Sequence, residues 1–173
     1  DNRCTYCAIP SIRGRLRSRT IEDIVAEAKD LEALGVKELN LIAQDTTNYG
    51  IDLYGKRCLP ELLRKVLQVE GIEWLRLLYL YPDKIDDELI TLFEQENKLI
   101  PYIEMPIQHG VGSVLKRMNR PGDEESLLAL LEKLRARIPD VVLRTTLIVG
   151  FPGESEEEFD ALCRFVRKAQ FDK

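Results

Sequence analysis

Residues 141–149 read VVLRTTLIV and run directly into Gly150-Phe151-Pro152-Gly153-Glu154, after which residues 155–169 carry a helical pattern. The first nine are almost continuously apolar or β-branched, as a strand covered on both faces of a parallel sheet requires. Ser155 and Glu158 have the spacing of a capping box, and Phe159, Leu162, Phe165 and Val166 recur so as to face inward. The unit is strand, turn, helix. VKELNLIA (36–43), IEWLRLLYL (72–80) and LIPYIEMPI (99–107) are three further strand candidates. Helices are expected near 60–68 and 86–96 and over 123–137, where Leu127, Leu130, Leu131 and Leu134 form the stripe and Pro139 lies just beyond. A helix over 20–34 has Thr20 to cap it, Ile21, Ile24, Val25, Ala28 and Leu31 on one face, and Gly35 to stop it. Strand ends near 43, 80, 107 and 149 are separated by the length of successive βα units, not of hairpins. The pattern predicts an α/β chain with a parallel sheet. Periodicity leaves open whether that sheet closes into a barrel.

Composition narrows the function classes. The chain has 173 residues, 45% hydrophobic and 32% charged, with 25 Lys and Arg against 30 Asp and Glu for a net charge of −5. That is the profile of a globular domain, and it excludes a disordered tail, a collagenous repeat or a disulfide miniprotein. No apolar run approaches the roughly 20 residues needed to span a bilayer. The start, DNRCTYCAIP, has no basic segment leading into an apolar one. The expected location is therefore the cytoplasm, with no membrane partner. Four cysteines, two crowded at positions 4 and 7 and two isolated at 58 and 163, are read as reduced thiols. The chain opens abruptly on the Cys4–Cys7 pair, so it reads as a piece of a longer protein.

Both open and closed parallel sheets place their sites beyond the C-terminal ends of the strands. Gln44-Asp45, Tyr81-Pro82-Asp83, Gln108-His109 and Gly150 to Glu154 stand at those ends. His109, the single histidine, is either a catalytic group or a structural hydrogen-bonder. Gln44 and Asp45 are site residues or helix caps. Gly150 and Gly153 permit close approach to a ligand or simply make a tight turn. Arg3, Arg13, Arg15, Arg17 and Arg19 put a basic arm on an acidic body. Such an arm meets a polyanion or pairs with neighbouring carboxylates.

Cys4-Thr5-Tyr6-Cys7 can chelate a metal or cluster, or form a redox disulfide. A redox pair belongs at a strand end running straight into a helix, whereas here the loop AIPSIRGRLRSR follows. A cluster needs a third ligand, and neither Cys58, in a loop, nor Cys163, on the last helix, is placed to give it.

CTYCAIP at the start, LIAQD at 41–45, PIQH at 106–109, LKRMNR at 115–120 and RTTLIVGFPGE at 144–154 occur in one order over essentially the whole chain. In these motifs the chain resembles the methylthiotransferases of the radical S-adenosylmethionine (SAM) class. IPSIRGRLRSR with LIAQDTTNYGIDLYG resembles the branch that modifies an aspartate of a small-subunit ribosomal protein; the sister branch modifies an adenosine in transfer RNA. The resemblance implies a partial parallel (β/α) TIM-like barrel of six strands, truncated here to four, with the first before Asp1 and the last after Lys173. Residues 1–173 would be the incomplete radical SAM core, inactive alone. The upstream methylthiotransferase domain and downstream RNA- or protein-binding domain would lie outside it.

The family's cluster motif is Cys-x-x-x-Cys-x-x-Cys. Cys4 and Cys7 match its second and third cysteines, and the first falls immediately before Asp1. The implied cofactors are a 4Fe-4S cluster and SAM, and the implied reaction replaces a hydrogen on the aspartate β-carbon with a methylthio group. By the same resemblance, Cys4 and Cys7 ligate the cluster, Tyr6 packs near the adenine, and Gln44 and Asp45 meet the methionine amino group. Gln108 and His109 contact SAM or substrate, and Arg117 pairs with the SAM carboxylate unless it forms a helix-surface salt bridge. Arg144 and Thr146 lie beside the ribose, and Gly150 approaches the adenine. The implied partners are a small-subunit ribosomal protein, ribosomal RNA through the Arg13–Arg19 arm, and a flavodoxin or ferredoxin as electron donor. A third, non-enzymatic reading has Cys4 and Cys7 holding zinc in an α/β binding module.

Overall fold

The computed structural model describes residues 2–173. A short helix α1 (Ile9–Arg13) is followed by α2 (Ile21–Ala33), β1 (Glu38–Leu41), α3 (Ile51–Tyr54) and α4 (Leu59–Val66). Next come β2 (Trp74–Leu77), α5 (Asp87–Gln95), β3 (Leu99–Gln108), α6 (Gly112–Arg117), α7 (Glu124–Arg137), β4 (Val142–Leu147) and α8 (Glu156–Ala169). The strands lie in the order β1-β2-β3-β4, every neighbouring pair parallel. Sequence order equals spatial order, the singly wound arrangement from which a (β/α) barrel is built. Asp172 and Lys173 continue along the far edge of β4, where Thr145 N–H donates to Lys173 O at 3.0 Å and Asp172 N–H to Leu143 O at 3.0 Å.

The helices start where their caps dictate. Thr20 accepts from Asp23 N–H at 3.2 Å, Asp86 from Leu89 N–H at 2.9 Å, and Ser155 from Glu158 N–H at 3.2 Å, satisfying donors that a helix start leaves open. Asp123 and Ser126 form a second capping box at α7. Leu63, Leu77, Ile90, Ile103, Leu131 and Phe165, all fully buried, mark the core between the sheet and the helices.

Several expectations are corrected. Regular strand within 72–80 is limited to Trp74–Leu77; beyond it Leu78 N–H still donates to Leu41 O at 3.1 Å and Leu80 N–H to Glu104 O at 2.9 Å, with Tyr79 at φ 59° between them. The supposed loop after Cys7 contains α1, with Pro10 in its first turn. Phe159 is 37% exposed and does not face inward; Leu162, Phe165 and Ala169 are the buried positions of α8. The expected faces of α2 and α7 do pack on the core, with Ile21, Ile24, Val25, Leu31 and Leu130 partly buried beside the buried Ala28, Leu127, Leu131 and Leu134. Cys58 lies, as expected, in the loop before α4, at its N-cap position, but it is buried, and burial pushes its thiol pKa up.

Candidate functional site

Pro106 sits within β3 and has no N–H to give the ladder, so the β3–β4 register shifts between Met105 and Gln108. Thr145 fills the break: its hydroxyl donates to Met105 O at 2.8 Å and accepts from Ile107 N–H at 3.3 Å. The Pro106 carbonyl is left to accept from Arg120 Nη2 at 2.7 Å. Arg120 closes the LKRMNR stretch just beyond α6. The carbonyls that the end of α6 leaves open are taken by the cysteine turn, Thr5 N–H donating to Met118 O at 3.1 Å and Thr5 Oγ1 to Arg117 O at 3.0 Å. Asn119 Nδ2 donates to Arg3 O at 2.7 Å from the other side. LKRMNR is thus the dock on which the Cys4–Cys7 turn rests.

On that dock Cys7 N–H donates to Cys4 O at 3.0 Å, so both thiols belong to one turn. Cys4 is buried and Cys7 half-buried. The Cys4 sulfur lies 3.7 Å from Tyr81 Oη and 3.7 Å from Arg120 Nη1. Arg120 lies over the Tyr81 ring at 4.5 Å from its centroid, and Lys84 is equally close at 4.5 Å. Burial pushes the phenol of Tyr81 up to about 12. Both cysteines open on a cavity of about 370 Å³ whose wall includes Asn2, Arg13, Arg15, Arg17, Gln44, Asp45 and Tyr81.

The floor is a polar bracket. Asp45 is buried and its Oδ2 accepts from Asn2 Nδ2 at 2.6 Å, Asn48 Nδ2 at 2.7 Å and Lys84 Nζ at 2.5 Å, while Thr47 donates to Oδ1. Its carboxylate is committed to neighbours inside the chain. Gln44, one residue earlier, is exposed on the cavity wall. Arg13, Arg15 and Arg17 are exposed, and none of them has a carboxylate partner among the described residues. Arg19, by contrast, is tied to Asp23 at 2.6 Å and to Glu27.

Other expected site residues lie away from that wall. His109 is fully buried with both ring nitrogens used: Val111 N–H donates to Nδ1 at 3.0 Å, and Nε2 meets Glu154 Oε1 at 3.2 Å. Because Nδ1 accepts, Nε2 carries the proton and donates. Glu154 Oε2 accepts from Gly150 N–H at 2.6 Å and Phe151 N–H at 2.9 Å, folding the Gly-Phe-Pro-Gly-Glu turn around one carboxylate. His109, expected to meet SAM or substrate, is here buried and bonded within the chain as a brace beneath this turn. Gln108 turns at φ 74° and its carbonyl accepts from Ile148 N–H at 2.8 Å. Arg117 makes the helix-surface alternative, a two-pronged pair with Glu158 at 3.1 and 2.6 Å. Arg144 pairs with the buried Glu104 at 2.5 Å across β3 and β4. Thr146 is exposed on β4. Tyr6 packs edge-on to Phe151, centroids 6.5 Å apart, bridging the cysteine turn and the glycine turn. Lys84 carried no signal in the sequence; Tyr81 and Glu154 stood out only as strand-exit residues and Arg120 only as the close of LKRMNR, none of them with a role.

The family profile of the Radical SAM superfamily matches residues 1–166. The chain belongs to that superfamily. Among curated relatives, "Ribosomal protein uS12 methylthiotransferase RimO" of Alkaliphilus oremlandii is 56% identical over 173 residues, all of this chain and 40% of that protein. The proteins of that name from Acetivibrio thermocellus and Carboxydothermus hydrogenoformans are 56% and 53% identical over the whole chain, which covers 38% and 40% of them. The chain thus spans about two fifths of the length of the relatives it matches. For a radical SAM chain the donor set is apt. Two soft thiols on one turn suit an iron–sulfur cluster, and a buried cation against one of them suits a ligand set of negative charge. Among the described residues no group of three or more His, Cys, Asp or Glu is placed to hold a metal ion. No helix among them is long and apolar enough to cross a membrane.

Proposed function

We propose that residues 1–173 form the catalytic core of a methylthiotransferase acting on the β-carbon of an aspartate in ribosomal protein uS12. The observation that carries this reading is identity of 53–56% along the whole chain to proteins named for modifying uS12. The Cys4–Cys7 turn opening on a cavity of about 370 Å³ supports it. When bound, a 4Fe-4S cluster and SAM together supply a 5′-deoxyadenosyl radical able to take hydrogen from an unactivated carbon.

The chain's own residues hold and shield that chemistry. Cys4 and Cys7 give two thiolates, and the family pattern puts the third immediately before Asp1. Gln44 is an uncharged, uncommitted polar side chain on the wall and meets the amino group of SAM, while Asp45 keeps Asn2, Asn48 and Lys84 in place beneath it. Tyr6 against Phe151 closes the side of the cysteine turn and keeps water from the radical. Arg13, Arg15 and Arg17 bring unpaired positive charge to the mouth, where the phosphates of ribosomal RNA flank the protein substrate. The electron comes from a flavodoxin or ferredoxin, and the work is done in the cytoplasm, where four free thiols stay reduced.

The test is mass spectrometry of uS12 after incubation with the anaerobically reconstituted full-length protein, SAM, sulfide and reductant. The expected result is one methylthio group on one aspartate. Modification of a transfer RNA adenosine instead, with uS12 unchanged, would overturn the substrate assignment.

A further inference from the structure

Arg120 is a buried charge without an opposite charge. It is 7% exposed, and its guanidinium is met by a backbone carbonyl, an aromatic face and the sulfur of Cys4. No carboxylate pairs with it among the described residues; Asp45 is held by Lys84 and Glu104 by Arg144. A cation removed from water in this way is costly until an anion completes it. Its Nη1 lies 3.7 Å from the sulfur of Cys4, which the function proposed above makes a ligand of the iron–sulfur cluster.

We propose that Arg120 is a positioning residue that supplies the counter-charge to the iron–sulfur cluster through Cys4 and sets the cluster's reduction potential. The inference rests on the function proposed above. Reduction adds one negative charge to the cluster, and a fixed cation beside a ligating sulfur stabilises the reduced form more than the oxidised one. Hydrogen bonds to cluster sulfurs and net local charge set such potentials. The surroundings hold the charge in place: Pro106 O, freed by the break in β3, anchors Nη2, and the Tyr81 ring covers the guanidinium face. Lys84 lies on the same ring but is neutralised by Asp45, so Arg120 is the uncompensated cation of this pair.

The experiment is a potentiometric titration, followed by electron paramagnetic resonance, of the reconstituted full-length protein as wild type, Arg120→Gln and Arg120→Lys. Iron content and circular dichroism are measured on each. The expected result is that Arg120→Gln lowers the equilibrium constant for one-electron reduction at least tenfold, a fall of about 59 mV, while Arg120→Lys retains most of it. If Arg120→Gln holds no cluster, Arg120→Lys decides alone: a potential near wild type supports the proposal. A potential unchanged in Arg120→Gln with iron content intact overturns it, as does an equal fall in Arg120→Lys. A wild-type protein that takes up no iron–sulfur cluster would instead overturn the function proposed above, a result distinguishable from these.

Discussion

His109 illustrates why the identity of a rim residue does not give its role. Its position after β3 is that of a catalytic group, yet both nitrogens are consumed by Val111 N–H and Glu154. The sequence offers the strand exit but not the partner, because Glu154 lies 45 residues away and only the fold brings them together. Burial opposes the charge of Glu154, but the N–H groups of Phe151 and Gly150 and the His109 ring outweigh it and hold its pKa below the usual carboxylate value. Replacing His109 by Ala strands the Val111 N–H and empties a buried site, so the folded state should lose at least about 1–3 kcal/mol in urea unfolding. A loss below about 0.5 kcal/mol would refute the brace. The Cys4–Cys7 spacing marked the pair as a candidate site without fixing its chemistry, and the fold sets both thiols on one turn beside the cavity. Asp45 was legible in place but not in occupation, since four donors from three segments converge on it.

At the scale of elements, the strongly periodic helices were readable to within a residue or two, because caps such as Thr20 and Ser155 are local signals. Short elements were not: α1, α3 and α6 run four to six residues, too short for a hydrophobic period to show. Glu158 joins two elements, capping α8 while binding Arg117 and Ser113 of α6. Arg117 first, then Ser113 and the Ser155 N–H, hold its pKa down to about 2. A folded pKa below the unfolded value means the link stabilises fully above about pH 4.5 and is lost as pH falls toward 2. The difference in unfolding temperature between wild type and Glu158→Gln should therefore shrink across that window, and a difference constant from pH 7 to 2 would contradict the assignment. Gly110 makes a sharper demand. A Cβ there would collide with the ring of Phe165, which is fully buried on α8 and cannot swing away. Gly110→Ala should cost about 1–3 kcal/mol by overpacking, read from the same unfolding curves, and a neutral result would mean that α8 sits farther from the β3–α6 turn than described.

For the molecule as a whole, the spacing of strands and helices was enough to give a parallel α/β architecture, and motif order was enough to point to a radical SAM core. What stayed hidden was how far the chain folds back on itself. The cysteine turn packs on residues more than a hundred positions later, through Thr5, Asn119 and Arg120. Local patterns carry no such pairing. That closure makes the two thiols one wall of a cavity rather than a loose N-terminal loop, and the central claim depends on it. The most direct measurement is iron content and 5′-deoxyadenosine release from the anaerobically reconstituted full-length protein, wild type against Cys4→Ala and Cys7→Ala. The account predicts SAM cleavage and about four irons at this site in the wild type, with cleavage abolished and those irons reduced in both variants. Undiminished cleavage of SAM in either variant would contradict it.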